Sequence, residues 1–336
     1  MSPISTGLKD RENTLIKRLT RAVPSILERH GQSGIPLGIG DDAAVLRPSG
    51  KTDWVLSCDS SLEGIHFLDS VHPPESIGYK SLARAVSDLA AMGARPRYFL
   101  LALALPSQKT HDWLARFARG MARAARESRI RLVGGDISKT QRVAISITVL
   151  GEIAHGKAVT RAGARPGDLL YVSGRLGAAQ LGLEIVLRGL SRRPSLKKHL
   201  RPHFYPRIPL DLAESLARDS IPSAMMDISD GLSTDLARLC AASGVGARLW
   251  APQIPTVRVP QLLKRTSLTP LELALHGGDD YGLLFTVPPK SLSRLRRLAA
   301  MQQITKIGEV TRDTKLRLIR ADGTQSLLEP GGWQPF

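Results

Sequence analysis

Apolar residues at Leu15, Leu19, Val23 and Leu27 keep helical spacing and predict a helix over Asn13–Glu28. The same period returns at Leu82, Val86 and Leu89 and predicts a second helix over Ser76–Ala91. Between them, Gly31–Gly34 breaks the pattern. Ala43–Leu46 and Trp54–Ser57 read as strands around the turn Pro48-Ser49-Gly50. Tyr98–Leu105 is a continuous apolar run of strand length, His111–Ser128 is a helix, and Ile130–Val133 is a short strand ending in Gly134-Gly135-Asp136. From Arg142 to Val149 the chain alternates, with Val143, Ile145, Ile147 and Val149 set against Ala144, Ser146 and Thr148, as in a half-buried strand.

A stretch rich in glycine and charge, Ala154–Arg165, marks the expected boundary between a domain over 1–153 and a second over 154–336. In the second, Leu169–Val172 and Ala224–Met226 read as strands, Ala178–Leu187, Leu210–Arg218 and Leu232–Ala242 as helices, and Glu272–His276 as the end of another. Tyr281–Val287, Leu292–Ala300 and Ile304–Glu309 then predict strand, helix and strand. Strands and helices alternate in both halves, so the fold class is α/β or mixed α+β. Both halves place aspartates flanked by glycine or serine at strand ends, a hint of two related halves.

Composition narrows the function. A chain of 336 residues is long enough for two domains, and 42% hydrophobic with 23% charged residues is ordinary for a globular protein. Aromatics at 4% leave little from which to build a stacking surface for single-stranded nucleic acid. Two cysteines, Cys58 and Cys240, cannot form a disulfide framework, and no Cys/His group has zinc spacing. The first residues carry no apolar leader, and Tyr98–Leu105 is too short to span a bilayer, so a cytoplasmic protein without a membrane partner is expected. The net charge of +17 fits a basic surface, and it also fits attraction of anionic ligands or nucleic acid. Arg188–Arg207, with Arg192, Arg193, Lys197, Lys198 and Arg201, is the best nucleic-acid candidate; a solvated face or a phosphate-attracting flank explains it as well.

Two familiar phosphate motifs fail on context. Gly50-Lys51-Thr52 resembles the end of a P-loop, but Val45 stands where its first glycine belongs, and a strand follows where a helix is needed. Gly38-Ile39-Gly40-Asp41-Asp42-Ala43 fits a dinucleotide fingerprint, yet its two aspartates would face a pyrophosphate.

The aspartates carry the chemical signal. They fall in Gly40-Asp41-Asp42, Ser57-Cys58-Asp59, Ser87-Asp88-Leu89, Gly134-Gly135-Asp136, Asp227-Ile228-Ser229-Asp230-Gly231 and Gly277-Gly278-Asp279-Asp280. Each alone has a plain reading as a helix cap or turn. If the loops converge, two carboxylates about 4 Å apart repel by about 4 kcal/mol at an effective dielectric near 20, and they must take up protons or bind cations. With no thiolate or imidazole cluster, a hard cation such as Mg²⁺ is the fitting counter-ion, and metal-held aspartates beside glycines suit phosphoryl transfer.

Together these segments, with Glu63-Gly64-Ile65-His66-Phe67 and Thr160-Arg161-Ala162-Gly163-Ala164, occur in an order that resembles the thiamine-monophosphate kinase family. That family lies within the superfamily of aminoimidazole-ribonucleotide synthetase and selenophosphate synthetase. The likeness runs from about Ile16 to Trp333. It implies a two-domain fold whose N-terminal sheets pair across a homodimer into a barrel. It also implies transfer of a phosphoryl group from ATP to thiamine monophosphate with several Mg²⁺ ions and no covalent intermediate. Carried over by position, Asp42, Ser57, Cys58, Asp59, Asp88, Asp136, Asp227 and Asp230 would serve the metals. Gly135, Asp136, Arg161 and Ser229 would contact ATP, and His66, Asp279 and Trp333 would line the acceptor pocket. Cys58 replaces the family's usual Thr and would act through its carbonyl. Asp279 and Gly282 stand where glutamates are usual, both near the acceptor. Related enzymes with another small acceptor, or a basic nucleic-acid binder on the same fold, are the alternative readings.

Overall fold

The computed structural model describes residues 41–47, 50–263, 268–299 and 303–334. The expected helix over Asn13–Glu28 lies outside them. The chain builds two sheets in sequence. The first contains β1 (Ala44–Leu46), β2 (Thr52–Leu62), β3 (Arg95–Leu105), β4 (Arg131–Lys139) and β5 (Ala144–Ala154), in the spatial order β1-β2-β5-β3-β4. Two helices, α1 (Pro74–Ala91) and α2 (Asp112–Glu127), belong to this half.

The period-2 pattern decides which face is covered. Val55 on β2, Phe99 and Leu103 on β3, and Ile145, Ile147 and Val149 on β5 are buried and share a core with Leu82, Val86 and Leu89 of α1. Cys58 pairs with Thr148, which pairs with Leu100 and then Gly134; the next row but one runs Ser60, Ser146, Ala102, Asp136. These rows point away from α1, on a face where Tyr98 and Leu100 remain exposed.

α1 begins at Pro74, where the missing N–H costs nothing, and most of its residues are buried because it packs on both halves of the molecule. It also lies very close to α2: a Cβ on Gly120 would sit 1.8 Å from the Glu75 carbonyl oxygen, and one on Gly78 would sit 2.1 Å from that of Phe117. Gly120→Ala is therefore expected to cost about 1–3 kcal/mol in urea unfolding, the usual penalty of overpacking; an unchanged midpoint would show that the helices separate freely.

The second sheet contains β6 (Leu169–Ser173), β7 (Ala224–Ile228), β8 (Gly246–Trp250), β9 (Gly282–Val287), β10 (Ile304–Thr311), β11 (Leu316–Ile319) and β12 (Gln325–Leu327), in the order β12-β11-β8-β10-β6-β9-β7. Its helices are α3 (Ala178–Leu187), α4 (Lys197–Phe204), α5 (Leu210–Arg218), α6 (Leu232–Ser243), α7 (Pro270–His276) and α8 (Leu292–Ala299). β7 is an edge strand of this sheet, and it lies against α1.

Three differences from the sequence reading matter. β4 does not stop before Gly134-Gly135-Asp136 but runs through it beside β3, and only glycine fits at 135, where φ is 155° and a Cβ would lie 1.9 Å from the Leu101 carbonyl oxygen. β7 continues to Ile228, so Asp227 lies inside the strand. The strands β8, β11 and β12 and the helix α4 were not anticipated.

Candidate active site between the two sheets

Segments from both halves meet where the inner end of α1 reaches β7. Asp42 precedes β1, Asp88 is on the last turn of α1, and Asp227 is on β7; their carboxylate oxygens lie within 4.8 Å of one another. Ser57 and Asp59 come from the core face of β2. The hydroxyl of Ser57 donates a short hydrogen bond to Asp88, and Ser87 Oγ donates to Asp227 Oδ2 at 2.7 Å. From the segment linking the sheets, Arg161 places Nη2 2.5 Å from Asp42 Oδ1, while its backbone N–H donates to Asp41 Oδ2 at 3.1 Å.

Burial and crowding push these acids toward their protonated forms. Asp42 is raised to about 8, first by burial and then by Asp227 and Asp41, against the pull of Arg161. Asp227 is raised to about 6 by burial, with Asp230 adding to it and the Ser87 hydrogen bond opposing it. Asp88 is pushed well above the carboxylate range by burial together with Asp227, Asp59 and Asp42. Burial also raises Asp59. Asp42 Oδ2 is buried and has no hydrogen-bond partner among the described residues. Three converging carboxylates, an orphaned oxygen and an all-oxygen donor set fit a hard divalent cation.

On the other side of Asp59 lies a second group. Lys80, Arg84 and Asp88 are four residues apart on α1, so they share one face. Lys80 Nζ is 2.7 Å from Asp279 Oδ2, and Tyr281 donates to Asp279 Oδ1 at 2.6 Å. Burial works against ionisation of Asp279, but Lys80 and Arg84 outweigh it and hold the carboxyl below its usual range. The loop carrying Asp279 is fixed by Asp279 N donating to the Ser229 carbonyl at 2.7 Å and Tyr281 N donating to that of Ile228 at 2.8 Å. Both residues take positive φ, 67° and 51°. His66 and Trp333 meet, their ring centroids 5.8 Å apart, and Trp333 N donates to the Asp230 carbonyl at 3.0 Å. His66 is lowered to about 4 by burial and by Arg84, so it is a neutral ring at physiological pH.

Three expected residues sit elsewhere. The thiol of Cys58 is on the outward face of β2, accepting from Thr148 Oγ1 at 3.5 Å, opposite to Ser57 and Asp59. Its side chain therefore does not enter the cluster. Gly135 and Asp136 lie on the exposed edge strand β4, and Asp136 accepts from Ser138 Oγ at 2.7 Å on the same outward face. Asp230 pairs with Arg238, which also reaches Asp235 at 3.2 Å.

Sequence reasoning missed Lys80, Arg84, Ser87 and Asp235. Asp235, fully buried in the first turn of α6, accepts from the N–H groups of Asp230 and Gly231 at 3.0 and 3.1 Å and so shapes the loop between β7 and α6. The available signal for the others was two cations four apart in an otherwise apolar helix, followed after the same interval by Asp88.

Residues 40–153 match the model of AIR synthase related protein, N-terminal domain, and residues 165–321 match that of its C-terminal domain. Thiamine-monophosphate kinase of Bacillus subtilis (strain 168) is 33% identical over 315 residues, 90% of this chain and 94% of the relative. The enzyme of that name from Escherichia coli (strain K12) is 36% identical over 321 residues, 92% and 94% of the two chains. A solved structure of AaThiL complexed with AMPPCP and TMP superposes with a TM-score of 0.83 at 31% identity, covering 99% of this chain and 100% of that one. With both domain models matched in order and relatives of one name aligned over nearly its whole length, the chain belongs to the thiamine-monophosphate kinase family of AIR synthase related proteins.

Proposed function

We propose that this chain transfers the γ-phosphoryl group of ATP to the phosphate of thiamine monophosphate, giving thiamine diphosphate and ADP. The observation that carries the proposal is the Asp42–Asp88–Asp227 cluster, whose oxygens converge from both halves of the molecule, with Asp279 held by Lys80 and His66 against Trp333 on the far side of Asp59. Mg²⁺ held by Asp42, Asp88 and Asp227, with Asp59 and Asp230 at its margins and Ser57 in support, would neutralise the phosphates and align donor with acceptor.

The protein's own groups do the rest. Arg161 is placed to receive ATP phosphate charge at the Asp42 side, and Ser229 lies just past the end of β7, two residues after Asp227. Ser57 and Ser87 orient Asp88 and Asp227 by hydrogen bonds. Asp279, kept ionised by Lys80, offers a negative charge to a cationic acceptor, and the indole of Trp333 offers it a face on which an aromatic ring can stack. Gly135 and Asp136 lie on the outward face of the first sheet, away from the carboxylate cluster, and the ATP site proposed here does not include them. That face supports a homodimer: among the described residues β4 is a sheet edge with Leu132, Val133 and Ile137 exposed, and two such sheets joined at it would close into a barrel. The two cysteines are unpaired, as suits a cytoplasmic enzyme, and among the described residues no helix is long and apolar enough to cross a membrane.

The test is direct detection of thiamine diphosphate from ATP, Mg²⁺ and thiamine monophosphate. Product that vanishes with EDTA is the expected result. A folded, ATP-binding chain that forms none would move the acceptor to another small molecule, with Asp279 and Gly282 the positions to vary first.

A further inference from the structure

We propose that Arg84 is the residue that holds the phosphate of the acceptor, a role that rests on the kinase reading above. Arg84 is largely buried on α1, and its contacts are poor for a buried guanidinium: Nη2 is 3.3 Å from Asp59 Oδ1, Nη1 is 3.5 Å from Ser61 Oγ, and Nε has no partner among the described residues. Arg161 and Arg248 share the unpartnered Nε, but each has a terminal nitrogen in a closer contact, at 2.5 and 3.1 Å, and two other arginines satisfy both arms of the fork. Arg47 meets Asp53 at 2.8 and 2.9 Å, and Arg116 meets Glu75 at 2.9 and 3.0 Å. Buried polar groups are normally bonded, so a guanidinium with slack contacts in a charged cleft is short of an acceptor. Two oxygens of one planar-spaced anion match that fork, and phosphate supplies them.

Position selects the acceptor's phosphate over the donor's. The other cations beside these acids are engaged more closely: Lys80 with Asp279 at 2.7 Å, Arg161 with Asp42 at 2.5 Å, and Arg238 with Asp230. Arg161 stands at the Asp42 end of the carboxylates. Arg84 stands at the Asp59 end, one helical turn from Asp88, and Asp59, Asp279, Asp88 and Tyr281 all act on it electrostatically. A phosphorylated acceptor brings about two negative charges into a cleft already rich in carboxylates, and a positive group must meet them there. Arg84 also lies one turn along the same helix face from Lys80, which holds Asp279. The helix thus spaces the group for the acceptor's phosphate against the carboxylate offered to its cationic ring.

The experiment separates phosphate recognition from general damage. Calorimetric binding of thiamine and of thiamine monophosphate to the full chain with Mg²⁺ gives the phosphate's contribution as the ratio of the two Kd values. In Arg84→Gln that ratio is expected to fall about 10- to 100-fold, the scale of lost hydrogen bonds to a charged group, with thiamine's own Kd and the KM for ATP nearly unchanged. Arg84→Lys should recover part of it through charge without the fork. An unchanged ratio in Arg84→Gln overturns the proposal. So does equal weakening of thiamine and thiamine monophosphate, which would mean that Arg84 only holds Asp59 and the helix in place. A wild-type chain that binds neither compound would instead bring down the kinase reading itself, and this proposal with it.

Discussion

Asp88→Asn is expected to lower the rate of thiamine diphosphate formation by about a hundred- to a thousandfold, on the scale set by removing one preorganised charge-stabilising group. Asparagine keeps the shape of the side chain and an oxygen for the Ser57 hydroxyl, so the change is close to a pure loss of charge. That charge is the costly part of the site. Asp88 is buried against Asp42, Asp59 and Asp227, and ionising it there without a counter-ion is unfavourable. In EDTA the variant should therefore unfold at the same temperature as wild type or a higher one, while losing the ability to hold the metal. Asp227→Asn should behave alike, since Ser87 can still donate to the amide oxygen. Near-normal rates in both variants at low Mg²⁺, or a collapse of stability without metal, would remove the shared metal site.

The contrast between active-site residues that sequence could and could not place has a physical basis. Asp42, Asp88 and Asp227 each lie within two residues of a glycine or serine at or near the ends of well-patterned elements, where a carboxylate has no packing reason to be. Their local chemistry was legible; their meeting was not, because it depends on how two sheets dock against α1. Faces were partly legible. The alternation of Val143, Ile145, Ile147 and Val149 gives the covered side of β5 directly, and the register then shows that Cys58 and Asp136 point the other way. On β2 itself no such signal exists, since Ser57, Cys58, Asp59 and Ser60 are all polar or small. Lys80 and Arg84 were hidden for the opposite reason: their neighbours are so apolar that the helix reads as core, and only the packed structure shows Lys80 paired with Asp279 and Arg84 facing Asp59. β11 and β12 are too short to establish a period, and α4 carries Pro202 within eight residues, which masks its helical stripe of Leu200, His203 and Phe204.

The second large effect concerns protons. Without metal, this chain is expected to lose stability as pH rises from about 6.5 to 8, by a few kcal/mol in the neighbourhood of the cluster; below that range His66 and His72, buried neutral and lowered to about 4, pull the other way. The sign follows from the direction of the shifts. Asp42 goes from 3.8 to about 8 and Asp227 from 3.8 to about 6 on folding, and Asp88 also moves up. Between the unfolded and folded values the native state binds more protons than the unfolded one, so each step up in pH favours unfolding. The contribution is fully present below about pH 4 and is lost as pH passes through the folded values. Mg²⁺ reverses this, because it binds the ionised carboxylates and must displace their protons. Three measurements are then linked. In EDTA the melting temperature should fall from pH 6.5 to pH 8. The increment gained on adding Mg²⁺ should be larger at pH 8 than at pH 6. Titration of Mg²⁺ at pH 7 in two buffers of different ionisation heat should show net proton release. Asp42→Asn removes the acid raised to about 8 and should flatten the upper part of the pH profile. A metal-free melting temperature that is level or rising across this range, together with Mg²⁺ binding that releases no protons, would mean that the three carboxylates are not forced together in solution as they are in the fold described.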